Sequence, residues 1–220
     1  MSEENMEEKM IEIDKNYKIH KKIIKKYISE ERQEKIFSMI SDLEDEYITA
    51  PASSKTSFHN CFPGGYLDHV NRVVLLALNQ MQMYQEMGGE INFTEEELVM
   101  SALFHDLGKI GDKNHPTYIP QTNNWRRDTL QETYSTNPEL QFMLIQDRSL
   151  FTLQKYGITL TEKEYLAIKL HDGLYDETNK PYLITYNPDA RLKSNLVYIL
   201  HTADLLASKI ELDKHNNTEK

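Results

Sequence analysis

The sequence predicts an all-α protein built from antiparallel helices. Apolar residues recur three or four positions apart along most of the chain, which is the spacing of one helix face. Two capping boxes, Thr94 with Glu97 and Thr161 with Glu164, mark the starts of helices. No run of residues shows the period of two that is typical of strands, and only residues 182–186 could form a short extended piece. No internal repeat is visible.

The first fifty residues differ in composition from the rest and predict a separate N-terminal segment. They are rich in Glu, Lys and Ile, and they contain no Gly or Pro before Pro51. Two apolar stripes at helical spacing, within 19–28 and 36–43, predict one or two helices. An acidic tail of about ten residues is expected to precede them. We therefore expect residues 1–50 to be an addition to a main domain over 51–212.

The middle of the chain predicts two helices followed by a long loop. Residues 65–87 carry an apolar stripe that Gly88 ends, and a second helix begins at the capping box of Thr94. Residues 112–127 have no periodicity and contain two prolines. Loops of this length are uncommon in compact domains unless they are functional or disordered. This loop is therefore expected to contribute to a substrate pocket.

The last ninety residues predict further helices in a fixed order. Two helical patterns at 128–136 and 139–155 are followed by Gly157, a typical helix end. The second capping box opens a helix that runs to about residue 170. A loop over 178–190 and a helix over 191–211 complete the domain, and residues 213–220 are expected to form a polar tail.

Charge and composition exclude several classes of protein. Lys and Arg total 25 against 35 Asp and Glu, which gives a formal net charge of -10 and argues against a protein that coats nucleic acid. No apolar stretch approaches the ~20 residues that a transmembrane helix needs. The acidic N-terminus does not resemble a secretory signal, so we expect a cytoplasmic protein (in the host cytoplasm if phage-encoded) without a membrane partner. The single cysteine excludes a disulfide framework and a cysteine-cluster metal site.

Histidine and aspartate side chains on apolar helices are the candidate functional residues. His105 and Asp106 are adjacent at the end of one predicted helix, His69 lies on the preceding helix, and Asp204 lies on the last. Such groups are costly to bury unless they are paired or bind a cation, and imidazole and carboxylate are natural ligands of divalent metals. The alternatives are a solvated His-Asp pair at a helix end and a hydrogen-bonded histidine in the core.

The spacing of these residues resembles a known signature. His69, the pair His105-Asp106 and the distant Asp204 resemble the H…HD…D pattern of the HD-domain metal-dependent phosphohydrolase superfamily. The segments LFHDLGK over 103–109 and ADLLA over 203–207 resemble that family's helix end and closing helix. The segment HNCFPGGYLDH over 59–69 is similar to the corresponding stretch of the 3′→5′ exoribonuclease branch. The resemblance covers about residues 55–210.

The resemblance implies a fold and a metal site. The fold would be an HD-domain helical bundle, here with an added N-terminal helical segment. The four side chains would bind one divalent ion (Mn, Fe, Co, Ni, Mg or Zn), and Asp106 would also orient the attacking water. A second ion would be bound through His171 and His201, which could instead contact substrate or form hydrogen bonds in the core. Lys109 resembles the family lysine that contacts phosphate.

A phosphorylated substrate needs further positive or aromatic contacts. Candidates in the predicted loop are Tyr118, Arg126 and Arg127, and Arg148 follows as a further guanidinium. The alternative is that these arginines are ordinary solvated charges. His59 either lines the site, as its place in the resembling segment suggests, or is a loop histidine.

The sequence therefore predicts a metal-dependent phosphohydrolase. It would cleave a phosphoester or phosphoanhydride of a nucleotide or small nucleotide-like substrate with metal-activated water. The alternatives are a 3′→5′ exonuclease or phosphodiesterase on short oligonucleotides, an HD-type di-iron oxygenase and a non-catalytic binding module. A long nucleic acid is not an expected partner, because the acidic chain would repel it. The N-terminal helices would pack on the domain or form a homo-oligomer contact.

Overall fold

The fold is described from a computed structural model, which covers the backbone of residues 3–218 and the side chains of residues 7–217. Helices dominate these residues, so the all-α prediction is confirmed. The helices are α1 Glu3–Tyr27, α2 Glu30–Asp42, α3 Glu44–Thr49, α4 Gly65–Glu86, α5 Glu95–Phe104, α6 Asn124–Leu130, α7 Ile145–Lys155, α8 Glu162–Leu170, α9 Lys180–Leu183 and α10 Leu196–Thr218.

Four helices form the centre of the molecule. Helix α4 packs on α5 and α10, and α8 also packs on both of these helices. The four helices therefore form a ring. Their shared interior is filled by fully buried aliphatic and aromatic side chains, as the helical stripes in the sequence predict. The ring positions the candidate site because α5 and α8 end at one cavity and α10 passes it.

Both predicted capping boxes are present and fix the starts of α5 and α8. The Thr94 hydroxyl accepts the Glu97 N–H at 3.1 Å, and the Glu97 carboxylate accepts the Thr94 N–H at 2.9 Å. Thr161 and Glu164 repeat the arrangement at the start of α8. The Glu164 carboxylate also accepts two hydrogen bonds from the guanidinium of Arg32 in α2, each 2.8 Å long. The cap of α8 is therefore tied to the N-terminal helices.

The N-terminal helices share the core of the main domain. Ile24 of α1 and Ile36 of α2 belong to the same buried cluster as Val70 of α4. His20 of α1 is fully buried, and its Nδ1 is 2.9 Å from the Asn71 side-chain oxygen while its Nε2 is 2.7 Å from the Tyr47 hydroxyl. The segment is thus packed against α4, and His20 is part of that contact.

The structure corrects the predicted ends of the chain. The acidic tail was expected to be irregular, but α1 already begins at Glu3. The polar tail predicted from Asp213 is helical through Thr218, since no Gly or Pro interrupts α10. The remaining tail residues, 1–2 and 219–220, lie outside the described part of the chain.

The region between α5 and α7 also differs from prediction. Residues Tyr118–Pro120 and Tyr134–Thr136 form a two-stranded antiparallel sheet, β1 and β2, where a loop and part of a helix were predicted. Strands of three residues are too short for their alternation to be recognised. Residues 182–186, the predicted extended piece, begin instead within α9.

Within residues 3–218, the structure has no helix with the length and apolar character that crossing a membrane requires.

The buried His20 predicts acid sensitivity of the fold. Burial lowers the pKa of His20 to about 4, against the opposing hydrogen bond to Asn71. The unfolded chain takes up this proton near pH 6.5, so the contribution is fully present above pH 6.5 and is lost as the pH falls to 4. We expect wild type to lose about 3 kcal/mol more unfolding free energy than His20→Gln between pH 7 and 4. Urea unfolding at each pH measures this, and equal losses in both proteins would contradict it.

Candidate functional site

The predicted His and Asp residues converge where the four central helices meet. His69 comes from α4, His105 and Asp106 from the end of α5, and Asp204 from α10. The His69 Nε2 is 3.1 Å from the nearer Asp204 oxygen and 3.5 Å from an Asp106 oxygen. The His105 Nε2 is 3.5 Å from the same Asp106 oxygen and 3.8 Å from Asp204. Four side chains that are distant in sequence thus share one small volume.

The rings of His69 and His105 are each held by a hydrogen-bond acceptor next to Nδ1. The His69 Nδ1 is 3.1 Å from a Glu211 carboxylate oxygen, and the His105 Nδ1 is 3.0 Å from the Ala102 carbonyl oxygen. When either ring is neutral, its Nδ1 therefore carries the proton, which leaves a lone pair on Nε2. Both Nε2 atoms are buried, yet neither has a hydrogen-bond partner. Buried nitrogens without a partner, facing two carboxylates, are what a divalent cation requires.

His171 repeats the arrangement of His105. It follows the last residue of α8 as His105 follows that of α5, and its Nδ1 is 2.8 Å from the Ile168 carbonyl oxygen. Its Nε2 is 3.6 Å from an Asp106 oxygen, and its ring centre is 4.7 Å from that of His105. His171 therefore lies directly beside the group formed by His69, His105, Asp106 and Asp204.

His201 lies behind His171 and is placed by a glycine. Its Nδ1 is 2.6 Å from the His171 carbonyl oxygen. Gly173 has a φ of +57°, and a Cβ at this position would lie only 2.7 Å from the His201 Nε2. The ring thus occupies the space of a side chain at position 173, so a larger residue there would displace it.

Among residues 7–217, three sets of side chains bring one ligand atom each within 4.8 Å of the others. The sets are His69-His105-Asp106, His105-His171-Asp204 and His59-His69-Glu211.

Helix α7 fixes the turn that follows His105. The Ser149 hydroxyl donates to the His105 carbonyl oxygen at 2.9 Å and accepts the Gly108 N–H at 2.8 Å. A Cβ on Gly108 would lie 2.2 Å from the Ile145 carbonyl oxygen, so only glycine allows this approach. The turn places Asp106 and Lys109 side by side, with 2.5 Å between the Lys109 Nζ and the Asp106 carboxylate.

Burial and the neighbouring charges shift the pKa values of the site residues in opposite directions. Desolvation would raise the pKa of Asp106, but Lys109 and His105 outweigh it and hold that pKa well below its usual range. Burial lowers the pKa of His69 and of His105, yet the neighbouring carboxylates raise them to about 9 and about 10. Without another cation, the carboxylates therefore draw protons onto the imidazoles. A divalent cation would replace those protons at the same nitrogens.

A cavity of about 590 Å³ opens onto this group. It is within the size range of small-molecule sites. The lining side chains that carry charge or imidazole are His59, Asp106, Lys109, His171, Asp172, Asp176, Glu177, His201 and Asp204.

His59 lines the cavity at its inner end, beside His69. Its ring centre is 4.7 Å from that of His69, and its buried Nε2 has no hydrogen-bond partner. Burial lowers its pKa to about 3, with Lys109 adding to the effect. His59 is therefore a neutral ring next to the two charged ones.

The structure does not bring the predicted arginines to the cavity. Arg126 pairs with Glu132 at 2.6 Å, and Arg127 is exposed and contacts Asp128. Arg148 is buried against the turn after His105, where its guanidinium donates to the Gln141 carbonyl oxygen. These pairings are invisible in the sequence because they depend on local turns.

Tyr118 lies in β1, outside the residues that line the cavity. Burial raises the pKa of its hydroxyl, and the charges of Lys109 and Asp106 act on it, so it lies near the site without forming its wall.

Glu211 is the residue of the site that the sequence reasoning missed. It is buried, and besides His69 it binds the Arg72 Nε at 3.0 Å. It lies seven residues after Asp204, two helical turns along the same face of α10. The feature of the sequence that indicates Glu211 is an acidic residue seven positions after a candidate ligand, within an apolar helix.

No family model, curated protein or solved structure matches this chain.

Proposed function

We propose that the protein is a metal-dependent phosphohydrolase of the HD type that acts on a nucleotide or a small nucleotide-like phosphoester. The observation that carries the proposal is the convergence of two buried, unpartnered imidazole nitrogens on two ionised carboxylates at the end of a cavity. The resemblance of the His69, His105-Asp106 and Asp204 segments to the HD signature supports the same reaction.

His69, His105, Asp106 and Asp204 are the residues that would hold the ion. Their donor set of two imidazoles and two carboxylates suits borderline and hard divalent cations. When bound, such an ion supplies Lewis acidity, which lowers the pKa of water toward ~7 and withdraws charge from a phosphoryl oxygen. His171 and His201 extend the donors on one side, toward the cavity.

The remaining groups act on the substrate. Lys109 places an ammonium group at the inner wall, where it can face a phosphoryl oxygen while Asp106 holds it in position. His59 and His201 present imidazoles to the cavity and can hydrogen-bond to the same group. In the reaction, the oxygen of water joins phosphorus, the bond from phosphorus to the leaving oxygen breaks, and that oxygen takes up a proton.

A metal and substrate panel tests the proposal. We expect purified protein to bind Mn, Fe, Co, Ni, Mg or Zn and to release phosphate from a nucleotide in its presence. His105→Gln should lose stoichiometric metal and phosphate release, because the Nε2 that faces Asp106 is gone. Elemental analysis and a colorimetric phosphate assay measure the two effects. His115→Gln is the control, since His115 is exposed and belongs to none of the groups of candidate ligands.

Several outcomes would contradict this function. Metal-loaded protein that releases no phosphate from nucleotides, cyclic nucleotides or oligonucleotides would exclude it. Metal and activity retained in His105→Gln would exclude the assigned ligands. A 5′-labelled oligonucleotide shortened one residue at a time would favour the exonuclease, and oxygen uptake without phosphate release would favour the oxygenase.

Glu211 gives a second prediction for the same site. It orients His69 through Nδ1, and loss of such a partner typically weakens metal binding by about 10- to 100-fold. We expect Glu211→Gln to weaken the dissociation constant for Co²⁺ by that factor and to shift the visible Co²⁺ spectrum. Titration calorimetry and absorbance measure these.

The control for Glu211 is Asp68→Asn. Asp68 binds the same guanidinium, Arg72, at 2.8 Å but does not contact His69. A metal affinity lowered equally in both variants would mean that Glu211 acts only by supporting Arg72, and unchanged affinity in Glu211→Gln would exclude its positioning role.

A further inference from the structure

The outer wall of the cavity is acidic and comes from one short segment. Directly after His171, residues 172–177 contribute Asp172, Tyr175, Asp176 and Glu177 to the lining. With Asp106 and Asp204 at the inner end, five carboxylates face the cavity. Among the lining residues that the structure describes, Lys109 is the only lysine or arginine. The wall of the cavity is therefore negatively charged, as is the chain as a whole.

Lys109 offers positive charge to a substrate only at the inner end of the cavity. Its Nζ already lies 2.5 Å from the Asp106 carboxylate. Lys109 is buried beside the histidines at the inner end, with 12% of its side chain exposed, whereas Asp172 and Glu177 at the mouth are 43% and 86% exposed. A phosphoryl group at the inner end can therefore be balanced by Lys109 and a bound cation. A further phosphate toward the mouth would meet the carboxylates of residues 172–177, of which only Glu177 lies within ion-pair distance of a lysine, Lys180 at 3.5 Å.

The acidic segment is held in place rather than loosely exposed. The Asp176 carboxylate accepts the Gln146 side-chain N–H at 2.8 Å and the Thr178 N–H at 2.9 Å. Gly173 is fixed against the ring of His201. The Tyr175 side chain is 79% exposed beside these acids and offers a flat face to an uncharged ring.

We propose that the cavity selects substrates with a single phosphoryl group on an uncharged moiety, such as a nucleoside monophosphate, and rejects the di- and triphosphates. The inference rests on the proposed function and names its substrate class. The phosphoryl group lies at the inner end, and the nucleoside lies between Tyr175 and the acidic wall. Each added phosphate places negative charge against Asp172, Asp176 and Glu177. The lysines nearest to this segment, Lys180 at 3.5 Å from Glu177 and Lys169 near Asp176, are already engaged by acids and do not line the cavity.

A matched substrate series tests the selection. We expect kcat/KM for a nucleoside monophosphate to exceed that for the triphosphate of the same nucleoside by roughly tenfold or more at fixed free divalent cation, as expected for several like charges within about 10 Å. The double variant Asp172→Asn with Glu177→Gln should raise the triphosphate-to-monophosphate ratio by about the same factor. Added salt should raise this ratio in wild type more than in the double variant, because salt screens the repulsion.

Control variants distinguish the effect of charge at the cavity from the effect of the net charge of the protein. Asp128→Asn with Glu139→Gln changes the net charge equally but alters two exposed acids outside the cavity, so the ratio should stay at its wild-type value. Glu177→Gln alone, at a side chain that is 86% exposed, tests the wall without risk to folding and should shift the ratio in the same direction.

The outcomes distinguish this inference from the proposed function. If no member of the series releases phosphate, the proposed function fails. If wild type cleaves the triphosphate as efficiently as the monophosphate, or if the variants in residues 172–177 leave the ratio unchanged, the single-phosphoryl selection is overturned while the phosphohydrolase assignment stands.

Discussion

The hydrogen bonds that orient the buried imidazole rings are the interactions on which the rest of the site depends. Ionised carboxylates and imidazoles are costly to bury, and helices α4, α5 and α10 nevertheless bring His69, His105, Asp106 and Asp204 into one volume. The arrangement persists because each ring donates Nδ1–H to a fixed acceptor and the surrounding core holds the helices together. The same restraint leaves the Nε2 atoms facing the carboxylates, which links packing directly to the proposed chemistry.

The sequence predicts those parts of the molecule that depend on local patterns. Helices with long apolar stripes and capping boxes, such as α4 and α5, lie where the spacing places them. Partnerships across the fold could not be predicted. The pairing of Arg126 with Glu132 depends on the turn between α6 and β2, and the contact of Glu211 with His69 depends on how α10 lies against α4. Periodicity identifies the face of a helix, but it does not identify the residue that the face meets.

Charge has two distinct roles in this protein. The formal charge of -10 is spread over the exposed helices, and residues 172–177 continue it to the mouth of the cavity. Positive charge on the cavity wall comes from Lys109, beside Asp106. An anion that approaches is therefore repelled until it reaches the inner end. Such an arrangement would serve the proposed selection between substrates better than the rapid capture of any anion.

The rings of His105 and His171 are oriented by carbonyl groups of their own helices, three residues earlier in each case. That of His69 is oriented by Glu211, 142 positions away. Two of the rings thus acquire their direction as soon as α5 and α8 form, whereas the third acquires it only when α10 docks. The α5–α8 pair therefore carries part of the proposed ligand set by itself. Packing of α10 adds Asp204 and orients His69 through Glu211, so the proposed metal site is complete only in the closed fold.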